Sequence, residues 1–292
     1  MDVRERILRI EDRPIYTLRV SPSDPRRDAR PLLVVHGGPG APHDYLRALD
    51  GLATRGGRDV VYYDQSGCGR SGPVAPEERR IERYAQELGA LIDALGLHDA
   101  HLFGHSFGGM VALEHALRRP PRSLVLASSP TSMPFHAQEI ERLRAALPAD
   151  VQEALARHER DGTTDAPGYE EACGVFYARH LCRVDPWPAE VLDAFARLDH
   201  ATYRAMWGAS ELLPDGSLAS WDATDRLPQL RTRTLLVGGR HDEVTPEEAE
   251  RAAKRIPGAR LAVLEASSHM PFVEEPDAFL ALVATALAEA DA

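Results

Sequence analysis

A chain of 292 residues, 43% hydrophobic and 27% charged, carries enough apolar surface for a full globular core. Its formal net charge of −11 argues against nucleic acid or an anionic membrane as a partner, and no apolar run approaches the ~20 residues that a membrane span needs. Cys68, Cys173 and Cys182 show no metal-ligand spacing and the charged start MDVRERILRIEDR is no secretory leader, so a cytoplasmic protein with reduced thiols is expected.

In chain order, the segments around RILRIED and PIYTLRVS read as two strands able to form a hairpin. PLLVV (31–35) is a continuous apolar run, as expected for a strand buried on both faces, and DVVYYD (59–64) is another. RRIERYAQELGALIDALG has apolar residues at helical spacing and stops on a glycine. AHLFGHS (100–106) returns to strand, FGGMVALEHALRRP to helix, and SLVLASS (123–129) to strand. From Pro130 to about residue 226 the chain reads as mostly helical and charge-rich, through AQEIERLRAAL, DVQEALARHER, YEEACGVFYARHLC, PAEVLDAFARL and YRAMW. The alternation then resumes with TRTLLVGG (232–239), PEEAERAAKRI, RLAVLEA (260–266) and PDAFLALVATALAEA. Such alternation predicts a mostly parallel sheet flanked by helices. We therefore expect an α/β core built from residues 1–130 and 227–292, with a helical cap inserted at 131–226.

GHSFG (104–108) matches the G-x-S-x-G nucleophile elbow of α/β-hydrolases, with an apolar strand running in and a helix running out. The serine of such an elbow sits on a strained turn, and side chains two positions to either side would clash. Ser106 then needs a base and an orienting acid, which follow in the order acid, then histidine. Asp242 and His269 each lie just past the end of a predicted strand, at the carboxyl edge where ligands bind in open α/β folds. His241 and His105 neighbour these positions and read as loop or packing residues. HGGPG (36–40) ends the strand expected beside that of the nucleophile, so its loop faces the serine and reads as an oxyanion hole. Gly38 and Phe107 are the expected backbone donors; Pro39 has no N–H and stiffens the turn, and His36 anchors the loop.

Taken together, HGGPG, YYDQSGCGRSG, GHSFGG and SSHMPFVEEP resemble the proline iminopeptidase family of α/β-hydrolases over nearly the whole chain. The resemblance implies removal of an N-terminal residue from a small peptide or aminoacyl amide, with neither metal nor cofactor. It also implies that two glutamates hold the free α-ammonium, here Glu211 in MWGASE and Glu243 in HDE, with Tyr203 near the substrate. His105 and Phe107 flank the nucleophile where many proline-specific members carry glycine and tryptophan, so a strict proline preference does not carry over. Some members in GC-rich bacteria trim aminoacyl groups from natural-product intermediates, and the basic residues here are nearly all arginine, with Lys254 the only lysine. Rival readings are an esterase, lactonase or general amidase that needs no free amine, and a binding protein on a hydrolase fold. The latter normally goes with a damaged triad, and none is visible. Oligomeric state is not read from the sequence.

Overall fold

Apolar runs as short as LLVV and VVYY satisfy their backbone groups only by pairing sideways. In the computed structural model, which describes all 292 residues, they do so within one sheet of eight strands. These are β1 (Asp2–Ile10), β2 (Arg13–Ser21), β3 (Leu32–Val35), β4 (Val60–Tyr63), β5 (His101–His105), β6 (Leu124–Ala127), β7 (Thr234–Gly239) and β8 (Arg260–Leu264). Their spatial order is β1-β2-β4-β3-β5-β6-β7-β8. The β1–β2 hairpin joins β4 antiparallel, and every pair from β4 to β8 is parallel.

Side chains of the central strands alternate between two cores, as the period of two requires. Leu33, Val35, Val61, Tyr63 and Leu102 pack on the face covered by the helices Ile81–Leu95 and Phe107–Ala116. Leu32, Val34, Val60, Tyr62 and Phe103 pack on the other face, against the C-terminal helix Pro276–Asp291. Helix Ile81–Leu95 ends where Gly96 takes a left-handed conformation (φ 66°, ψ 31°).

Five helices lie between β6 and β7: Met133–Ala145, Ala149–Asp161, Pro167–His180, Ala189–Ala196 and His200–Met206. They bring a small core of their own around Ile140, Leu155, Tyr169 and Phe176. Helix stops earlier than the sequence suggests, at Met206. From Trp207 to Arg226 the chain runs through turns, because Gly208 (φ +146°) and Pro214 break the helix. A 3-10 stretch at His43–Asp50 and a short helix at Gly51–Gly56 carry no sequence signal of their own; each is too short to show a period. No helix is long and apolar enough to cross a membrane.

The amino edge of the sheet is tied down by the last helix. Arg58, before β4, bonds Asp291 at 2.9 Å with side chains 1% and 3% exposed. The same carboxylate accepts from the Arg30 N–H (3.1 Å) and meets His101 Nε2 (3.0 Å). Burial, helped by the nearby Arg58 charge, pushes His101 down to about 4, so the ring is neutral and donates. Asp291→Ala is expected to lower the unfolding free energy by about 3 kcal/mol, since it leaves a buried guanidinium without its counter-charge. Urea denaturation reads this directly; a loss under about 1 kcal/mol would show that Arg58 finds water instead.

Candidate active site

The turn between β5 and its following helix holds Ser106 at φ 55°, ψ −127°, a region that costs a non-glycine residue energy. Its surroundings enforce the strain. A Cβ on Gly104 would lie 2.5 Å from Gly109 Cα, and one on Gly108 would lie 2.2 Å from the Val35 carbonyl oxygen. Ser106 N–H donates to Ala127 O (3.0 Å), and the Ser129 hydroxyl donates to Ser106 O (2.8 Å), so the end of β6 clamps the elbow.

Asp242 follows β7 and His269 follows β8, and the two meet at 2.8 Å between Oδ1 and Nδ1 in a buried setting. The Val244 N–H also donates to Asp242 Oδ1 at 2.9 Å and fixes the carboxylate. With Nδ1–H held this way, Nε2 of His269 is the nitrogen free to take a proton. Ser106 and His269 line the same cavity, of about 670 Å³, between sheet edge and inserted helices.

The glycine loop after β3 reaches the same cavity through Gly38. Its neighbour Gly37 has its N–H committed to the Tyr45 hydroxyl oxygen at 2.7 Å, and Pro39 has none to give. Gly38 (φ +112°) is therefore the donor available beside Ser106, and a Cβ there would lie 2.6 Å from Gly40 N. Phe107, the first residue of the helix after the elbow, offers one of the unsatisfied N–H groups of a helix start. DQSGCG proves to be the latch of this loop: Gln65 N–H donates to His36 Nε2 (2.9 Å), and the Gln65 amide donates to His36 O (2.7 Å). Burial pushes His36 down to about 4, so it serves the loop as a neutral ring.

His105 is more than packing. The Tyr45 hydroxyl donates to its Nδ1 (2.8 Å), and its Nε2–H donates to the His269 carbonyl (2.9 Å). Burial, reinforced by His269, holds His105 well below the usual histidine range. The neutral ring thus joins the glycine loop after β3 to His269 through Tyr45. Nothing in the local sequence announces this, since its partners lie far away in the chain.

Tyr203 and Glu211 come from the insertion and also line the cavity; the Tyr203 hydroxyl donates to Glu211 Oε1 at 2.7 Å. Glu243 lies just behind the lining, 1% exposed, with Oε1 3.6 Å from His269 Nδ1 and Oε2 without a hydrogen-bond partner. Burial raises both carboxyls above their usual range. Repulsion by Glu211 and Asp242 adds to the rise at Glu243, while the Tyr203 hydrogen bond restrains it at Glu211. Two buried carboxyls with no lysine or arginine partner leave a place that favours a cation. The one group with metal-like spacing, His43, Asp44 and Asp64, already bonds Arg70 through both acids.

Comparisons with known proteins show the fold and the family. A model of the alpha/beta hydrolase fold matches residues 30–276. The proline iminopeptidase of Heyndrickxia coagulans is 36% identical over 259 residues, covering 87% of this chain and 88% of the relative. The crystal structure of the Mycobacterium smegmatis proline iminopeptidase superposes with a TM-score of 0.93 at 36% identity, covering 99% of both chains. That of VinJ also superposes with a TM-score of 0.93, at 37% identity and 98% coverage of each. The chain belongs to the proline iminopeptidase family of the α/β-hydrolase fold, as a serine hydrolase and proline iminopeptidase-like aminopeptidase.

Proposed function

We propose that the protein releases an N-terminal aminoacyl residue, proline or a small apolar one such as alanyl, from a peptide or another amide. The observation that carries this reading is the pair Glu211 and Glu243 beside the serine and histidine. Buried carboxylates with no lysine or arginine partner suit a substrate that brings an ammonium. An ester, lactone or plain amide would leave them unused, which is why the general hydrolase reading ranks second.

In this mechanism Ser106 attacks the carbonyl carbon while His269 Nε2 takes its proton, with Asp242 orienting the ring. The Gly38 and Phe107 N–H groups receive the negative charge that forms on the carbonyl oxygen. His269 then hands its proton to the leaving amine. Water attacks the aminoacyl-enzyme with His269 as base, and Ser106 leaves with the proton. Glu211 and Glu243 hold the ammonium, Tyr203 orients Glu211, and cleavage is confined to the first residue.

The apolar part of the cavity lining favours an apolar leaving group. It is formed by Ala41, Leu181, Ala194, Phe195, Leu198 and Met270, and the one arginine lining the cavity, Arg204, is paired with Asp165. A short peptide would find no unpaired guanidinium for its terminal carboxylate there. This supports an aminoacylated natural-product intermediate as substrate alongside peptides.

Ser106→Ala is expected to lower kcat on alanyl-p-nitroanilide by about 10⁶-fold with an unchanged melting temperature. Retention of full activity would remove the serine assignment. N-acetylation of alanyl- or prolyl-p-nitroanilide should cut kcat/KM by at least about 100-fold, and Glu211→Gln should raise KM for the free amine by roughly 10- to 100-fold. Equal turnover of acetylated and free substrates would instead favour the general amidase or esterase.

A further inference from the structure

His136 is buried completely, on helix Met133–Ala145 of the insertion, and the mechanism makes no use of it. Its Nδ1 lies 3.1 Å from Glu248 Oε1, on the helix that begins three residues after Glu243. Its ring meets Trp207 edge-on at 5.7 Å, and Trp207 opens the turn that leads to Glu211. One imidazole therefore wedges between the two segments that carry the two glutamates, one from the insertion and one from the core. His136 Nε2 and Trp207 Nε1 have no hydrogen-bond partners, nor does Glu243 Oε2.

We propose that His136 is a positioning residue for the ammonium site: as an imidazolium it neutralises Glu248 and keeps Glu211 and Glu243 ionised and correctly spaced for the substrate. The inference rests on the reading of those glutamates as ammonium acceptors.

Charge in this region is lopsided. Glu248, Glu211 and Asp242 face the ring from the core and the insertion, and the same three acids act on Glu243. On its own helix Glu139 is already bonded to Thr245 Oγ1 (2.8 Å) and to Arg142 (2.6 Å). Arg142 also approaches Glu247, and Arg251 lies over the Phe135 ring, so neither guanidinium serves the buried acids. Burial works against a charged ring, yet the charge and hydrogen bond of Glu248, with help from Glu211 and Asp242, outweigh it and raise the His136 pKa. Glu248 in turn adds to the repulsion felt by Glu243. Removing the imidazolium alone would leave that repulsion unopposed and push the amine-site carboxyls further up. Protonated carboxyls do not hold an ammonium, so binding would fail at a higher pH.

The test is the pH dependence of kcat/KM on alanyl-p-nitroanilide for wild type, His136→Gln and the double variant His136→Gln/Glu248→Gln. Glutamine at 248 still serves the capping box that Thr245 and Glu248 form, so the second change removes charge with little loss of structure. In His136→Gln the acid limb should rise by about one pH unit, with KM at neutral pH up roughly 10-fold and kcat little changed. The double variant should return both values to near those of wild type, because a neutral pair has been replaced by a neutral pair. Hydrolysis of p-nitrophenyl acetate, which has no amine, should be unaffected throughout.

An unmoved acid limb in His136→Gln overturns the proposal. So does equal loss on the acetate ester, or a double variant no better than the single one, since either marks a purely structural role. Should the single variant not fold, the double variant is read against wild type: a limb within about half a unit supports the charge pair, and a larger displacement overturns it. If Glu211→Gln leaves KM unchanged, the ammonium reading itself has failed; if it raises KM while His136→Gln does not, only this inference has.

Discussion

Three hydrogen bonds run from the Gly37 N–H through the Tyr45 hydroxyl and the His105 ring to the His269 carbonyl, and the active site depends on that chain. Acyl transfer needs the oxyanion donors, the nucleophile and the base held within a fraction of an ångström of one another. In the proposed mechanism they come from loops after β3, β5 and β8, which share no local sequence contact. A buried chain of neutral donors and acceptors fixes them without placing a net charge beside the serine. The neutrality of His105 matters to this, for a charged ring there would repel the imidazolium that the proposed mechanism forms at His269.

The core and the insertion divide the work. In the proposed function the sheet supplies the acyl-transfer machinery at its carboxyl edge, where the parallel strands end and helix starts offer free N–H groups. The insertion contributes Tyr203, Glu211 and most of the cavity wall, so the substrate preference we propose comes largely from it. Glu243 belongs to the core but, in the proposed function, acts with Glu211. Because both are buried, their need for a counter-cation is strong. In open solvent the same two carboxylates would discriminate little.

Much of the fold was legible in the sequence because its signals are local. Apolar runs such as LLVV, helical spacing through Ile81–Leu95 and the glycines around Ser106 reflect neighbours within a few residues, and the strands and elbow follow from them. The glutamates and Tyr203 were reached only through the family resemblance, since acidic residues are common throughout the chain. The turn-rich stretch after Met206 carries no helical segment of its own in the sequence beyond YRAMW; it falls within the helical region only because that region is bounded by the return of strand signals.

By itself, then, the sequence determined the alternation of strand and helix, the strained serine and the order in which acid and base follow it. These arise from short-range sterics and from the period of apolar residues. Tertiary structure alone decided that Gln65 latches His36, that His105 bridges Tyr45 to His269, and that His136 stands between the segments of Glu211 and Glu243. Each of those contacts joins residues distant in the chain. Their energy depends on burial and on the partner that packing brings near, and neither is written in the neighbouring residues.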